Sequence, residues 1–228
     1  MHECVPLKLL YHGVWYVALG TLVGARLGHC LFYEPQYYYQ NPVEIFQTWK
    51  GGLASHGAGV GILIALYIFA RVEQISYIWI LDRVAIIVAL SGLFIRMGNL
   101  ANSEIFGITT NLPWGFEYVR SPVWYQPPVY AQPCHPTQIY EGVAYLAIFI
   151  FLYLMYFKTN VKLYRGVLLG IFFTSVFTVR FLIEFIKLEQ VDFEKGMPLK
   201  MGQLLSIPFI ICGICLLCFR KTTIKNAN

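Results

Sequence analysis

Charged residues are scarce in this sequence: Asp, Glu, Lys and Arg supply 13% of its 228 residues, whereas 57% are hydrophobic. A soluble domain of this length carries about twice that charged fraction. The mean hydropathy is +0.58, and several mostly apolar stretches reach the length of about 18 residues that a bilayer-spanning helix needs. The composition therefore predicts an all-α, polytopic helical integral membrane protein, because a spanning backbone must satisfy its own hydrogen bonds.

Other absences narrow the possible functions. The six cysteines form no disulfide framework and show no zinc-binding spacing with histidine. No internal repeat is visible in the sequence, which argues against an inverted-repeat transporter. The net charge of +5 lies mostly in short loops and near the C-terminus, where it orients a membrane protein. We therefore expect no nucleic-acid partner.

About six transmembrane helices are predicted within a single transmembrane domain, residues 1–228. The longest connection, residues 100–138, is rich in Pro, Trp and Tyr, which favours an interfacial loop lying against the membrane. The predicted spans are roughly residues 9–32, 53–70, 78–95, 139–157, 167–186 and 204–219.

Lysines and arginines in the short connections predict the orientation. Arg220, Lys221 and Lys225 place the C-terminus in the cytoplasm, and with six spans the N-terminus is cytoplasmic as well. The loop 100–138 then lies on the non-cytoplasmic side, and most intramembrane polar residues fall at that same depth. This distribution predicts a shared, outward-facing polar cavity. Its candidate residues are Arg26, His29, His56, Arg96, His135, Gln138, Tyr140, Glu141, Arg180, Glu184 and Gln203.

The stretch I-R-M-G-N-L-A-N-S-E-I-F-G, residues 95–107, is the first functional candidate. An arginine and a carboxylate this close to lipid are costly unless they pair or face a polar cavity. Arg26, Arg96 and Arg180 together suggest an anionic ligand, because guanidinium groups bind phosphate oxygens bidentately. In a lipid-facing pocket that anion is a phospholipid headgroup. The alternative for each arginine alone is snorkelling from a helix end to the headgroups.

Two further features each leave two interpretations open. Arg180 and Glu184 are four residues apart on one helix face, so they form a structural ion pair, or Glu184 orients Arg180 towards the ligand, or both. His56, in S-H-G-A-G-V-G, is either a general base near neutral pH or a histidine hydrogen-bonded within the bundle. The glycines at 57, 59 and 61 permit close approach of a lipid or a neighbouring helix.

Taken together, these motifs resemble those of the bacterial prolipoprotein diacylglyceryl transferases. They occur in the order of that family and cover most of the chain. The motifs are G-A-R-L-G-H (24–29), G-G-L-A-S-H-G-A (51–58), R-M-G-N-L-A-N-S-E-I-F-G (96–107), H-P-T-Q-I-Y-E (135–141), R-F-L-I-E-F (180–185) and M-G-Q-L-L-S-I-P (201–208).

The resemblance implies a multi-pass enzyme of the bacterial inner membrane with its active site on the outer side. Such an enzyme moves the diacylglyceryl group from phosphatidylglycerol to the lipobox cysteine thiol in the signal peptide of a prolipoprotein. The products are a thioether and glycerol phosphate, and the reaction is the first step of lipoprotein maturation. The resemblance implies no metal and no cofactor.

The resemblance also implies roles for particular residues. Arg96 and Arg180 are expected to hold the lipid phosphate, and His56 to help remove the thiol proton, because the thiolate is the nucleophile. These three residues form the expected catalytic set. The expected substrate-binding residues are Arg26, Asn99, Glu104, Gly107, Tyr140 and Glu184.

The sequence departs from the family in one larger respect. The family has seven spans, and this chain begins just before what would be the second, so the first span and its tyrosine are expected to be missing. An inactive truncated transferase is therefore one alternative. A transporter for an anionic lipid or solute is the other.

Overall fold

A computed structural model describes residues 5–121, 132–160, 164–188, 198–219 and 221–222. Within those ranges the chain is mainly helical. Short 3-10 helices lie at Pro42–Phe46, Thr48–Lys50 and Glu184–Ile186. The helices are α1 (Leu7–Phe32), α2 (Pro35–Gln40), α3 (Ser55–Val72), α4 (Tyr77–Ala101), α5 (Thr137–Lys158), α6 (Val167–Ile183) and α7 (Met201–Cys218).

The class predicted from composition is confirmed: the chain is a multi-pass helical membrane protein. Five of the described helices, α1, α4, α5, α6 with its 3-10 extension, and α7, are long and apolar enough to cross a membrane. The segment predicted as residues 53–70 corresponds to α3, whose apolar part, His56–Val72, is shorter. Gly51 and Gly52 have φ of 86° and 70°, a left-handed conformation that ends the preceding 3-10 turn and delays the start of α3.

The chain divides into two compact units, Met1–Ile80 and Leu81–Asn228. In the first unit α1 packs against α3 through facing glycines. A Cβ atom on Gly28 would lie 2.7 Å from the Cα of Gly57, and one on Gly24 would lie 2.7 Å from the Cα of Gly61. Small residues at such positions allow two helix backbones to approach closely. The prediction that a helix approaches these glycines is therefore confirmed for Gly57 and Gly61.

In the second unit α4, α5 and α6 share an apolar core. Asp82, buried at 2% exposure, fixes the start of α6, because its carboxylate accepts hydrogen bonds from the N–H groups of Gly166 at 2.7 Å and Leu169 at 2.8 Å. These bonds satisfy donors that a helix N-terminus leaves unpaired. The core is formed by Ala85, Ala89, Tyr145, Ile148, Leu152, Leu168 and Phe172, among others.

The described part of the loop 100–138 is held by backbone hydrogen bonds. Residues 106–110 lie between residues 133–135 and residues 186–188, with bonds from Gly107 N to His135 O and from Ile108 N to Ile186 O, both at 2.9 Å. The two-residue strands β1 (Phe116–Glu117) and β2 (Pro133–Cys134) pair antiparallel in the same loop. Strands β3 (Tyr164–Arg165) and β4 (Lys221–Thr222) form a second antiparallel pair. That this loop lies on the membrane surface stays a prediction, and residues 122–131 lie outside the described ranges.

Candidate functional site

Four charged side chains of the second unit form a buried ion cluster. The Nε atom of Arg96 lies 2.6 Å from Oε2 of Glu141, although the two are not aligned as a hydrogen bond. The Nζ atom of Lys187 lies 2.8 Å from Oε1 of Glu141 and 3.3 Å from Oε2 of Glu184. The side chain of Glu141 is 0% exposed and that of Lys187 is 2% exposed. Charges this deeply buried persist only when they are paired, because an isolated ion costs several kcal/mol to desolvate.

A second set of contacts holds Arg96 on its other side. Its Nη1 atom donates to the side-chain carbonyl of Asn99 at 3.0 Å, and the Asn99 amide donates to Oε1 of Glu104 at 2.9 Å. Asn102 donates to the same oxygen at 3.2 Å. Asn99 is one helical turn after Arg96, which places the two side chains on one face of α4. The structure therefore brings three of the predicted site residues into one hydrogen-bonded chain.

Glu104 reaches Asn99 because the chain reverses sharply after α4. Ser103 and Ile105 have positive φ values of 57° and 60°, and such values are rare for a β-branched residue such as Ile105. Backbone strain of this kind costs about 1–3 kcal/mol and persists only where surrounding contacts hold it. Here the Thr137 hydroxyl donates to Ile105 O at 2.9 Å and the Gln138 amide donates to Glu104 O at 2.7 Å.

Gly107 is needed for packing. A Cβ atom there would lie 2.6 Å from the carbonyl oxygen of Ile186, 2.7 Å from the Cβ of His135 and 2.9 Å from a methyl group of Thr137. Only glycine lets these three segments meet around residue 107. Packing alone thus explains why residue 107 is glycine. A role of Gly107 in substrate binding stays a prediction.

Arg180 lies in the last turn of α6, just before the 3-10 turn that begins at Glu184. Its Nε atom is buried and has no hydrogen-bond partner among the described residues. Arg180 thus adds a third cation to the unit that holds Arg96 and Lys187, on the stretch that also carries Glu184.

The predicted ion pair between Arg180 and Glu184 is not formed. In the described residues Glu184 instead pairs with Lys187, three positions later. The reason is local: α6 ends at Ile183 and Glu184 opens a 3-10 turn, whose residues i and i+3 lie directly above one another. Gly202 of α7 also leaves room for this carboxylate, since a Cβ atom there would lie 2.5 Å from it.

Tyr140 lies in the first turn of α5 with its hydroxyl engaged by two neighbours. Trp114 donates its indole N–H to that oxygen at 2.8 Å, and Nδ1 of His135 lies 3.3 Å from it. These contacts join Tyr140 to the loop 100–138. No contact between Tyr140 and Arg96 occurs in the described residues.

The other two predicted site residues belong to the first unit. Arg26 is buried, and its guanidinium donates to four carbonyl oxygens, those of Glu44, Ile45, Gly51 and Gly52, at 2.5–3.1 Å. These bonds use four of the five guanidinium N–H groups. Arg26 thus anchors the segment that connects α1 to α3, and a direct contact with phosphate stays a prediction.

His56 lies at the start of α3 and is exposed. It lines a groove of about 910 Å³ between α1 and α3 whose walls are otherwise almost entirely apolar. Whether His56 acts as a base or is hydrogen-bonded within the bundle stays a prediction. A common cavity of His56 with Arg96 and Arg180 stays a prediction.

Burial changes the acidity of two groups in the loop. It raises the pKa of Tyr118, whose hydroxyl donates to Oε1 of Gln138 at 3.0 Å, to about 12. It also raises the pKa of the Cys134 thiol, which makes that thiol unreactive at neutral pH. No group of three His, Cys, Asp or Glu side chains within the described ranges is placed to hold a metal ion.

Two residues of the cluster received no role from the sequence. Glu141 ends the motif H-P-T-Q-I-Y-E, and Lys187 follows the motif R-F-L-I-E-F by two positions. The sequence feature that could have predicted a role for Lys187 is its position three residues after Glu184, at the end of an apolar span. An ionisable residue there needs a partner. Which partner it finds depends on the loop 100–138 and on α5, and these are distant in sequence.

The helices and the buried ions define a multi-pass membrane protein with a buried charged site built where helices meet loops. The family model described as prolipoprotein diacylglyceryl transferase matches residues 5–219, and the chain belongs to that family.

Several relatives carry the name phosphatidylglycerol–prolipoprotein diacylglyceryl transferase. The protein of Porphyromonas gingivalis is 48% identical over 223 residues, which cover 95% of this chain and 79% of the relative. The protein of Chloroherpeton thalassium is 46% identical, with 95% of this chain and 78% of the relative covered. The protein of Tolumonas auensis is 45% identical, with 93% of this chain and 79% of the relative covered. The family expected from the motifs is thereby confirmed.

Proposed function

We propose that this chain is an enzyme that transfers the diacylglyceryl group from phosphatidylglycerol to the lipobox cysteine thiol of prolipoproteins. The sulfur forms a thioether bond to the terminal carbon of the diacylglyceryl group, and the bond between that carbon and the phosphate oxygen breaks. Its electron pair leaves with glycerol phosphate. The observation that carries the proposal is the buried ion cluster in which Arg96 and Lys187 share the carboxylate of Glu141, in a chain that is only 13% charged.

Arg96 and Arg180 are the cations proposed to stabilise the negative charge of the leaving group. Arg96 is held at Nε by Glu141 and at Nη1 by Asn99, and neither contact uses Nη2. Arg180 has a buried Nε atom without a partner in the described residues. Guanidinium groups bind phosphate oxygens in pairs, and donors fixed before the reaction stabilise charge that develops on the leaving group. Arg96 and Arg180 therefore carry the catalytic role in this proposal.

The remaining predicted residues have supporting roles. Asn99 and Glu104 orient Arg96, and Glu184 pairs with Lys187. Tyr140 is proposed to contact the glycerol headgroup from the loop side. Gly107 and Arg26 remain proposed members of the substrate-binding set. Their observed contacts are structural: Gly107 allows close packing, and Arg26 anchors the segment between α1 and α3.

His56 is proposed to accept the proton of the attacking thiol. An exposed imidazole nitrogen can accept a proton from a thiol, and the apolar groove beside it suits acyl chains or the apolar part of a signal peptide. The substrate-binding partners of the proposal are accordingly phosphatidylglycerol, prolipoprotein signal peptides and membrane lipid. The two units are proposed to act as a single transmembrane domain in the bacterial inner membrane, with the active site on the outer side.

The test uses the purified chain in lipid nanodiscs with headgroup-labelled phosphatidylglycerol and a synthetic lipobox peptide. We expect thioether-linked peptide by mass spectrometry and an equal amount of released glycerol phosphate. Omission of the peptide, or a serine in place of its cysteine, should abolish both products. Movement of intact phosphatidylglycerol across the bilayer with no product would contradict the proposal and support a transporter instead.

His56→Gln tests the proposed base in the same assay. The imidazole is lost while hydrogen-bonding capacity is kept, so we expect the rate to fall by about 10²–10⁴-fold, the usual contribution of general acid–base catalysis. A lipobox peptide bearing selenocysteine, whose side chain ionises without a base, should recover much of the loss. An unchanged rate with the ordinary peptide excludes His56 as the base.

A further inference from the structure

Lys187 and Glu141 have no role in the function proposed above beyond their charge, yet they are among the most deeply buried ions of the described chain. Their side chains are 2% and 0% exposed. Lys187 follows α6, Glu141 lies in the first turns of α5, and Arg96 lies near the end of α4. Glu141 thus stands between two cations that come from two other segments.

Both oxygens of the Glu141 carboxylate are occupied. Oε2 lies 2.6 Å from Arg96 Nε, and Oε1 lies 2.8 Å from Lys187 Nζ. A buried carboxylate with Arg96 as its sole partner would neutralise most of the guanidinium charge. Because Lys187 shares this carboxylate, the charge of Arg96 remains available to a further anion. Lys187 therefore adjusts how strongly Arg96 can attract a ligand.

Lys187 is itself held from several sides. Its Nζ atom lies 3.3 Å from Glu184 Oε2. Its backbone pairs with Gly107 in a β-bridge, and its carbonyl oxygen accepts a hydrogen bond from Lys200 Nζ. A long, flexible side chain held at both ends loses much conformational freedom, so such a position is suited to fixing the geometry of a neighbour.

Arg96 is fixed in turn by two contacts on different nitrogens of one planar group. Glu141 holds Nε, and Asn99 holds Nη1 at 3.0 Å. Two such contacts define the plane of the guanidinium. The ordered chain runs from Lys187 through Glu141 and Arg96 to Asn99 and Glu104.

We propose that Lys187 is a positioning residue for the transfer reaction, acting through Glu141 to hold Arg96 in the orientation and charge state that bind the phosphate of the lipid donor. The inference rests on the proposed function. It assigns Lys187 an effect on phosphatidylglycerol and none on the lipobox peptide.

The test measures kcat and KM separately for phosphatidylglycerol and for the lipobox peptide in nanodiscs, together with the thermal unfolding midpoint. Lys187→Met keeps an unbranched side chain of similar length and removes the charge. We expect kcat/KM for phosphatidylglycerol to fall about ten- to a hundredfold, the scale of a misplaced binding group, with the KM for the peptide unchanged. Lys187→Arg should restore most of the loss, because it keeps the cation.

The matched control is Lys50→Met, which removes another lysine from a lysine–glutamate pair. Lys50 Nζ lies 3.3 Å from Glu44 Oε1 on the exposed surface. Exposed pairs contribute little, so we expect kinetics within about twofold of wild type.

The double variant Glu141→Gln with Lys187→Met covers the case in which Lys187→Met alone leaves an unpaired buried charge and fails to fold. Removing one charge of each sign leaves the net charge of the cluster unchanged, and such exchanges are commonly tolerated. We expect the double variant to unfold near the wild-type midpoint, with kcat/KM for phosphatidylglycerol reduced no further than in Glu141→Gln alone, since coupled residues are not additive.

Three results would overturn the inference while leaving the proposed function intact. The first is wild-type kinetics in a folded Lys187→Met or in the double variant. The second is an equal loss for both substrates, which indicates a purely structural role. The third is failure of Lys187→Arg to restore activity although it folds. Failure of the proposed function itself is distinct, because the wild-type chain would then form no thioether.

Discussion

Tyr118 and Gln138 show how single side chains support the loop that carries Glu104. The Tyr118 ring stacks on Phe106 with centroids 4.5 Å apart, and its hydroxyl donates to Gln138 Oε1. The Gln138 amide then donates to the carbonyl oxygen of Glu104 at 2.7 Å. Tyr118 is 3% exposed and Gln138 0%, so each lost hydrogen bond leaves a buried polar atom unpaired.

Tyr118→Phe should destabilise the folded chain by about 1–3 kcal/mol, because the Gln138 oxygen loses its donor in a buried site. The stability of this variant should also decline less at alkaline pH than that of the wild type. The pKa of Tyr118 is raised from 10.0 to about 12 in the folded state, so its neutral form stabilises the fold below about pH 10, and that contribution is lost as the pH rises towards 12. Thermal unfolding midpoints measured from neutral to alkaline pH check both effects.

The control for this prediction is Tyr39→Phe, at a ring that is 89% exposed. It should change neither the midpoint at neutral pH nor the alkaline decline. A Tyr118→Phe variant whose midpoint falls with pH as steeply as that of the wild type would show that other groups cause the decline.

The pairing of α1 with α3 depends on glycine positions along whole helices. Gly20, Gly24 and Gly28 recur every four residues on α1 and face Gly57 and Gly61 of α3. Helices in lipid gain no hydrophobic energy from association, so they rely on close backbone packing. A single added methyl group in this contact must displace backbone, since no flexible side chain is there to move aside.

Gly61→Ala should destabilise the chain by about 1–3 kcal/mol through overpacking. A Cβ atom there would lie 2.8 Å from the Cα of Gly24. Gly59→Ala is the matched control, because nothing lies within 4 Å of its Cβ position on the same helix. Unfolding midpoints of both variants in one detergent should differ clearly, with Gly59→Ala at or above wild type. Equal midpoints would contradict the described packing.

At the level of the whole molecule, the excess of basic residues in particular connections predicts which side each loop faces. Asn111 lies in the loop 100–138 and Asn160 lies between α5 and α6, and both are exposed. In a cysteine-free background, we expect Asn111→Cys to react with a membrane-impermeant thiol reagent in intact spheroplasts. Asn160→Cys should react only after the membrane is opened.

The reverse labelling pattern would place the ion cluster on the cytoplasmic side. The proposed reaction with exported signal peptides would then be untenable. Labelling of both positions in intact spheroplasts indicates leaky membranes, which a cytoplasmic marker enzyme detects in the same preparation.

Helical periodicity and local motifs made a large part of the molecule predictable from sequence. Apolar length alone predicted the spans, because backbone in lipid has few alternatives to a helix. The contact of Arg96 with Asn99 was also within reach of sequence, since residues three apart share a helix face. The ion pair expected between Arg180 and Glu184 is not formed, because the helix tightens into a 3-10 turn at Glu184. Residue spacing alone does not reveal this change.

The amino-acid sequence by itself determined the membrane class, the approximate spans, the glycine contact surface and the family, since each follows from composition, local spacing or short motifs. The tertiary structure alone decided that Glu141 joins Arg96 to Lys187 and that Arg26 anchors a connecting segment. The physical reason is that a buried ion must find a partner wherever the fold brings one. Partners drawn from segments 18 to 46 residues apart are set by packing.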